Sequence, residues 1–301
     1  MAVYKKSYRR YDGALTGVWT RLLVIPRYAL EDLHRTRFFT FFFLATFLYP
    51  LICALIIYVQ HNLKALTVFN AEQAGRLISI NAKFFMNLMG WQGMLAFFLA
   101  SFVGPGQISP DLANNALSLY LARPFSRAEY VLGKLGVLVT LLSLMTWIPG
   151  LLLFLLQADL EGWDWMTANA SIAAGIFWGA WVWILLLALL ALALSAWVKW
   201  KPVAGGLLFG TFFVAGAFGA AINVVQRTKW GHLLNISHLI GTIWTTLFGQ
   251  ELKDGAGAVF FRVAAGEEIP VWCCWTSLGV LAAVCLYLLH HKIRAAEVVR
   301  S

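Results

Sequence analysis

Long stretches without a charged residue constrain this chain more than any other feature. The stretch WVWILLLALLALALSAWV, residues 181–198, is one of them. About 20 apolar residues in helical form are enough to cross a bilayer, whereas a soluble domain would carry about 25% charged residues. Here 12% of the 301 residues are charged and 60% are hydrophobic. The sequence therefore predicts an all-α, polytopic membrane protein.

Six of these stretches are predicted to be transmembrane helices. Lipid offers the backbone no hydrogen-bond partner, so each crossing must close its own helical bonds. The predicted spans are Phe38–Val59, Phe84–Val103, Val131–Leu156, Ile172–Val198, Pro202–Val225 and Val271–His290. The alternating ten-residue segments of a transmembrane barrel are absent from the sequence. We expect an arm over residues 1–37 and a six-helix transmembrane domain over residues 38–301.

The positively charged residues predict the orientation of these spans. Net charge is +9, and sixteen of the 23 Lys and Arg residues flank the predicted ends on one side. Because Lys and Arg concentrate on the cytoplasmic side, both termini are predicted to be cytoplasmic in the inner membrane. Nucleic-acid binding would need a folded basic module, which the sequence does not show, so no nucleic-acid partner is expected.

Two segments outside the spans are also predicted to be helical. Between Val18 and Leu33, apolar residues recur near helical spacing, which predicts an amphipathic helix in the headgroup layer, bent near Pro26. A plain stop-transfer flank is the alternative. Residues 226–270, on the outer side, are too long for a bare loop and contain HLLNISHLIGTIWTTLF. This predicts an outer re-entrant or interfacial helix, with Trp230 and Trp244 at the interface.

The connection between the second and third spans is rich in specific polar groups. It includes SPDLANNALSLYLARPFSRAEYVLGK, Ser109 to Lys134, and its central part is residues 109–130. Ser109 and Pro110 suit a helix start, which predicts a helix from Pro110 to about Leu121. Pro124 disfavours helix for the residue before it. Ser126 and Glu129 have the spacing of a capping box that opens the third span.

This connection resembles that of the type 2 ABC exporter permeases, which are six-span membrane subunits of ABC transporters. The similarity rests on Asp111, Ala116-Leu117, Tyr120-Leu121, Arg123-Pro124, Ser126-Arg127, Tyr130 and Gly133-Lys134. A weaker similarity is ALEDLHRTRFF, Ala29 to Phe39, which looks like the arm before the first span of that family. Asn115 departs from the pattern, because many members have Gly there.

The resemblance implies a cytoplasmic coupling helix, roughly Pro110 to Arg123, that docks on a separate ABC ATPase. The implied docking residues are Asp111, Asn114, Asn115, Tyr120, Arg123, Pro124 and Arg127. Taken singly, each arginine could instead bind lipid headgroups or set topology. The sequence has no G-x-x-x-x-G-K-(S/T), so we expect no cofactor in this chain and expect the partner ATPase to bind ATP and Mg²⁺. A second permease copy, in a two-fold homodimer, is also expected.

Polar residues and small-residue spacings inside the spans suggest further sites. Asn87, Gln92 and Asn223 are candidates for a translocation path, with interhelical hydrogen bonding as the alternative. The Gly206–Gly210 spacing makes the fifth span the candidate dimer seam, with packing inside one subunit as the alternative. No span contains a carboxylate or arginine at depth, which argues against a proton-coupled transporter.

These observations favour a permease subunit of an ABC exporter over the other classes. A mechanotransmitting complex with an outer-side accessory protein is a variant of that prediction. An integral-membrane scaffold or assembly factor without transport activity is the alternative from another class. Catalytic motifs such as H-E-x-x-H and G-x-S-x-G are absent, so the chain is not expected to be an enzyme. The scattered histidines and four cysteines do not have the spacing of a metal site.

Overall fold

The computed structural model describes residues 17–62, 79–114, 126–250, 259–261, 263 and 269–298. Within these ranges every regular element is a helix. Six helical stretches are long and apolar enough to cross a membrane, and we number them spans 1 to 6: Arg37–His61, Ala82–Ala113, Arg127–Glu161, Ala170–Trp197, Lys201–Gln226 and Val271–Ile293. The predictions of an all-α fold and of six candidate spans are confirmed.

Spans 1, 2 and 3 are each made of two helices. Span 1 divides into Arg37–Ala45 and Leu48–His61, span 2 into Ala82–Val103 and Pro105–Ala113, and span 3 into Arg127–Met145 and Trp147–Glu161. A proline follows each break within four residues, at positions 50, 105 and 149. Proline lacks an N–H and so leaves a carbonyl of the preceding turn without its helical donor. The breaks therefore have a local cause in the sequence.

Span 4 lies at the centre of the bundle and packs against spans 2, 3, 5 and 6. In its most apolar stretch 72% of the residues are buried, against 17% in span 5. Spans 1, 5 and 6 therefore lie at the periphery, where large apolar side chains such as Phe41, Val214 and Tyr287 are exposed. Such faces suit contact with lipid, whose tails are as apolar as the side chains.

A helix precedes span 1 at Val18–Arg35, which we call the arm helix. It matches the predicted range and continues through Pro26. The arm helix packs on the start of span 3, where a Cβ at Gly133 would lie 3.0 Å from the side chain of Ile25. At Gly136 a Cβ would lie 3.2 Å from the Pro26 ring. Two glycines one turn apart thus permit this close approach between the helices.

The segment between spans 5 and 6 enters the bundle. Its helix, Ile236–Leu247, packs against spans 4 and 6, and short 3-10 turns occupy Trp230–Leu234 and Val259–Phe261. The Trp244 indole Nε1 donates a hydrogen bond to the Gly179 carbonyl at 2.9 Å. A Cβ at Gly93, midway along Ala82–Val103, would lie 2.9 Å from the Trp244 ring. The inserted helix therefore reaches the middle of span 2.

Trp244 illustrates an incorrect prediction in this segment. The sequence placed it at an interface, but its side chain is 1% exposed, whereas Trp230 is half exposed as an interface residue would be. A glycine surface on span 4, at Gly175 and Gly179, receives the inserted helix. The indole N–H therefore has its hydrogen-bond partner inside the protein and does not need a lipid headgroup.

Candidate functional site

Polar contacts concentrate at one end of the bundle, which we call the motif end because residues 109–134 belong to it. The sequence predicted a helix starting at Pro110 and capped by Ser109, and this prediction is wrong. The helix is Pro105–Ala113, with Pro110 inside it, and Ser109 is fully buried. Ser109 is instead held by a residue of another span, a contact that the local sequence does not show.

That residue is Ser195, near the motif end of span 4. Its hydroxyl accepts hydrogen bonds from the backbone N–H groups of Ile108 and Ser109, each at 3.0 Å, and donates to the Pro105 carbonyl at 2.9 Å. The Ser109 hydroxyl in turn reaches the carbonyl oxygens of Ser195 and Val198. These contacts, which we call the Ser195 clamp, fix the second helix of span 2 to span 4. N–H groups near a helix start need such partners when no water is present.

Replacing Ser195 with alanine is expected to lower the free energy of unfolding by about 2 kcal/mol, since two buried N–H groups lose their acceptor. Thermal unfolding of the purified protein in detergent measures the effect. Thr211→Ala is the matched control, because the Thr211 hydroxyl bonds only to the Leu207 carbonyl of its own helix. Equal stability of the two variants would contradict a role for the clamp.

A buried ion pair joins the end of span 2 to the start of span 3. Lys134 Nζ lies 2.9 Å from Asp111 Oδ2, and the Tyr130 hydroxyl donates to the same oxygen at 2.8 Å. The side chains of Lys134 and Asp111 are 10% and 15% exposed, and Tyr130 is fully buried. Lys134 is the sole charged residue between Glu129 and Asp159 in the sequence. A cation in an otherwise apolar helix needs a counter-charge, and Asp111 supplies it.

Tyr130 also joins this ion pair to two further elements. Its ring packs in a buried apolar cluster with Ile25 of the arm helix and Ile293 of span 6, and Leu112 lies beside them. We call the ion pair and this cluster the Asp111 junction. The arm helix and spans 2, 3 and 6 therefore meet at one place, at the two ends of the connection between spans 2 and 3.

The predicted docking residues are only partly within the described structure. Asn115, Tyr120, Arg123 and Pro124 lie outside the described residues, so the predicted coupling helix is seen only to Ala113. Asn114 is exposed at the end of that helix, Arg127 is half-buried, and Asp111 is engaged in the junction. The capping box is confirmed: Glu129 N donates to Ser126 Oγ at 3.2 Å, and Ser126 N donates to Glu129 Oε2 at 2.7 Å.

The polar residues predicted to line a path occupy separate places. Asn87 is half-buried in span 2. The Gln92 amide donates to the Thr46 carbonyl at 3.3 Å, which is the carbonyl that Pro50 leaves without a helical donor. Asn223 Oδ1 accepts from Gly231 N at 2.7 Å and holds the turn after span 5. The Gln92 contact joins two spans, and the Asn223 contact stabilises a turn.

The candidate dimer seam lies on an open face. A Cβ at Gly206 or at Gly210 would meet no atom within 4 Å among the described residues beyond its own stretch of helix. Packing of these two glycines inside one subunit is therefore not seen in the described structure. Among the described residues, no three His, Cys, Asp or Glu side chains converge as metal ligands would.

Sequence reasoning missed the Ser195 clamp and the pairing of Lys134 with Asp111. Each had a weak signal: Ser195 is the one polar residue in the stretch 181–198, and Lys134 is isolated in an apolar run. Comparison with protein-family models and with curated proteins finds no match to this chain. Function is therefore inferred from the residues and contacts of this chain.

Proposed function

We propose that this chain is the membrane permease subunit of an ABC exporter. It would couple ATP hydrolysis by a separate cytoplasmic ATPase to transport across, or mechanical signalling through, the inner membrane. The observation that carries the proposal is the Asp111 junction, which joins both ends of the connection between spans 2 and 3 to the rest of the bundle. The sequence resemblance of that same connection to type 2 ABC exporter permeases supports it.

The contacts of the motif end suit the transmission of a push. Force on the connection would pass to span 4 through the Ser195 clamp and to span 3 through Lys134. Buried, satisfied polar contacts resist sliding because their loss leaves polar groups without partners. The breaks after Val103 and Met145 separate the motif-end helices of spans 2 and 3 from the remainder of each span. A push on the connection would move the second helix of span 2 and the first helix of span 3 together, and span 4 would follow through the clamp.

The proposal includes an orientation and a set of partners. The motif end and both termini would be cytoplasmic, as the Lys and Arg distribution predicts. The arm helix would lie in the headgroup layer, with exposed Leu23 and Tyr28 toward lipid, and the inserted helix would be re-entrant from outside. ATP and Mg²⁺ would be bound by the ATPase, and a second copy would meet the open face of span 5.

Co-purification of the tagged protein from its native membrane in mild detergent tests the proposal. Mass spectrometry is expected to find a stoichiometric ATPase with Walker motifs. Absence of any such ATPase from intact, folded protein would contradict the permease function. That result would favour an integral-membrane scaffold or assembly factor.

Charge reversal in the connection tests the docking role directly. The double change Arg123→Glu and Arg127→Glu is expected to reduce ATPase recovery at least about tenfold. Glutamates at these two positions would repel the acidic groups of the ATPase that the arginines are proposed to contact. The matched control is Lys199→Glu with Arg300→Glu, which makes the same charge change on the same predicted side. Equal ATPase recovery from the two double variants would show that the arginines do not dock the ATPase.

A further inference from the structure

A cavity of about 520 Å³ opens at the motif end between the arm helix and spans 2, 3 and 5. This size lies within the range of small-molecule pockets, about 300–1,000 Å³. Most of the wall is apolar, and the polar lining groups are Asp32, Gln107, Lys134 and Lys201. Ile25 and Lys134 of the lining also belong to the Asp111 junction. Binding of a small molecule in this cavity would nevertheless be a role distinct from ATPase docking.

The charges of the lining are not equivalent. Lys134 is already neutralised by Asp111 at 2.9 Å. Lys201, at the first turn of span 5, is exposed and has no acidic partner among the described residues. Asp32, on the arm helix, is also exposed. The cavity thus offers one cation and one carboxylate to a bound molecule, which suits a molecule that itself carries both charges.

The apolar wall indicates where that molecule comes from. Val24, Tyr28 and Phe102 line the cavity and are 43%, 66% and 57% exposed. Val24 and Tyr28 belong to the arm helix, and Phe102 of span 2 packs on Phe38 and Phe42 of span 1. Their exposed surfaces would be covered by acyl chains in a membrane. A free anion would gain nothing from these side chains, whereas a lipid would bury its chains against them. The ligand is therefore expected to be an amphiphile.

We propose that this cavity binds a phospholipid with an amine-bearing headgroup. Lys201 contacts the phosphate, Asp32 contacts the ammonium, and the first part of an acyl chain lies along Tyr28 and Phe102. The remaining chain length stays in the bilayer. A lipid held in this way bridges the arm helix to spans 2 and 5, and stabilises the arm helix on the bundle. Neither the ATPase nor transport is required for this binding.

Native mass spectrometry of the purified full chain tests the proposal by counting retained phospholipid. Lys201→Gln is expected to reduce retention about tenfold, since a hydrogen-bonded charge partner is lost. Gly106→Leu is expected to reduce it similarly, because Gly106 lines the cavity and a Cβ there meets no described residue outside its own helix turn within 4 Å. Lys199→Gln, an exposed lysine outside the lining, is the control and should retain lipid like the unmodified chain. Equal retention in Lys201→Gln and Lys199→Gln would overturn the proposal.

Thermal unfolding with added ligands distinguishes the sources of the phosphate. Phosphatidylethanolamine is expected to stabilise the protein more than phosphatidylglycerol, and Asp32→Asn is expected to remove that preference. Inorganic phosphate and diacylglycerol, added alone, are expected to have no effect. Stabilisation by inorganic phosphate equal to that by phosphatidylethanolamine would identify a free-anion site and contradict the proposal. Equal stabilisation by the two phospholipids would contradict the assignment of Asp32.

Discussion

Replacement of Asp111 by alanine is expected to lower the free energy of unfolding by about 3 kcal/mol. Removing one partner of a buried ion pair costs about 3–5 kcal/mol, because the remaining charge stays buried without compensation. The low end applies here, since Lys134 and Asp111 keep 10% and 15% of their side-chain surface exposed. The Tyr130 hydroxyl also loses the acceptor that it contacts at 2.8 Å.

Two controls separate the ion pair from other effects of the substitution. Asp159→Ala removes an exposed carboxylate and is expected to change stability little. Asp111→Leu combined with Lys134→Met removes both charges together and is expected to recover most of the loss. Unfolding in mixed detergent micelles measures all three variants. A double variant that is as unstable as Asp111→Ala would show that the pair does not act as a unit.

Replacement of Trp183 by alanine is expected to lower the free energy of unfolding by about 3 kcal/mol. Trp183 is fully buried at mid-bundle, its Nε1 donates to the Gly93 carbonyl at 3.0 Å, and its ring lies 5.0 Å from that of Phe261. Trp→Ala changes in protein cores cost about 3–5 kcal/mol. We expect a value at the low end because helices that associate in a membrane do not transfer apolar side chains out of water. The substitution therefore removes only packing contacts and one hydrogen bond.

Trp178→Ala is the matched control for this change. It removes the same side chain from the same span, but Trp178 is 60% exposed and faces outward. We expect its effect on thermal unfolding to be small, because a lipid or detergent chain replaces the lost contacts. Similar destabilisation by both variants would show that the buried contacts of Trp183 add nothing to stability.

Much of the fold could be predicted because it depends on local patterns. The six candidate spans agree with their predicted ranges to within a few residues at most ends. The arm helix and the Ser126–Glu129 capping box were also predicted, since helical spacing and capping spacing are readable over a few positions. The largest difference is the end of span 2, which continues to Ala113 through Gly104 and Pro110.

The failures have a common cause in contacts between distant residues. The sequence alone reads Ser109-Pro110 as a helix start, whereas Ser195 of span 4 binds Ile108 and Ser109 inside a helix that already begins at Pro105. Trp244 has the composition of an interface residue, and only the glycine surface at Gly175 and Gly179 buries it. In both places a partner about 65 to 90 positions away decides the outcome.

The amino-acid sequence by itself determined the class of this protein, namely a helical bundle with six stretches able to cross a membrane. It did so because lipid tolerates only backbones that close their own hydrogen bonds, and apolar length is visible in the sequence. Only the tertiary structure decided that Asp111 pairs with Lys134, that Ser195 holds span 2, and that the arm helix borders a cavity. Those contacts join residues on different helices, and their geometry follows from helix packing, which spacing along the chain does not encode.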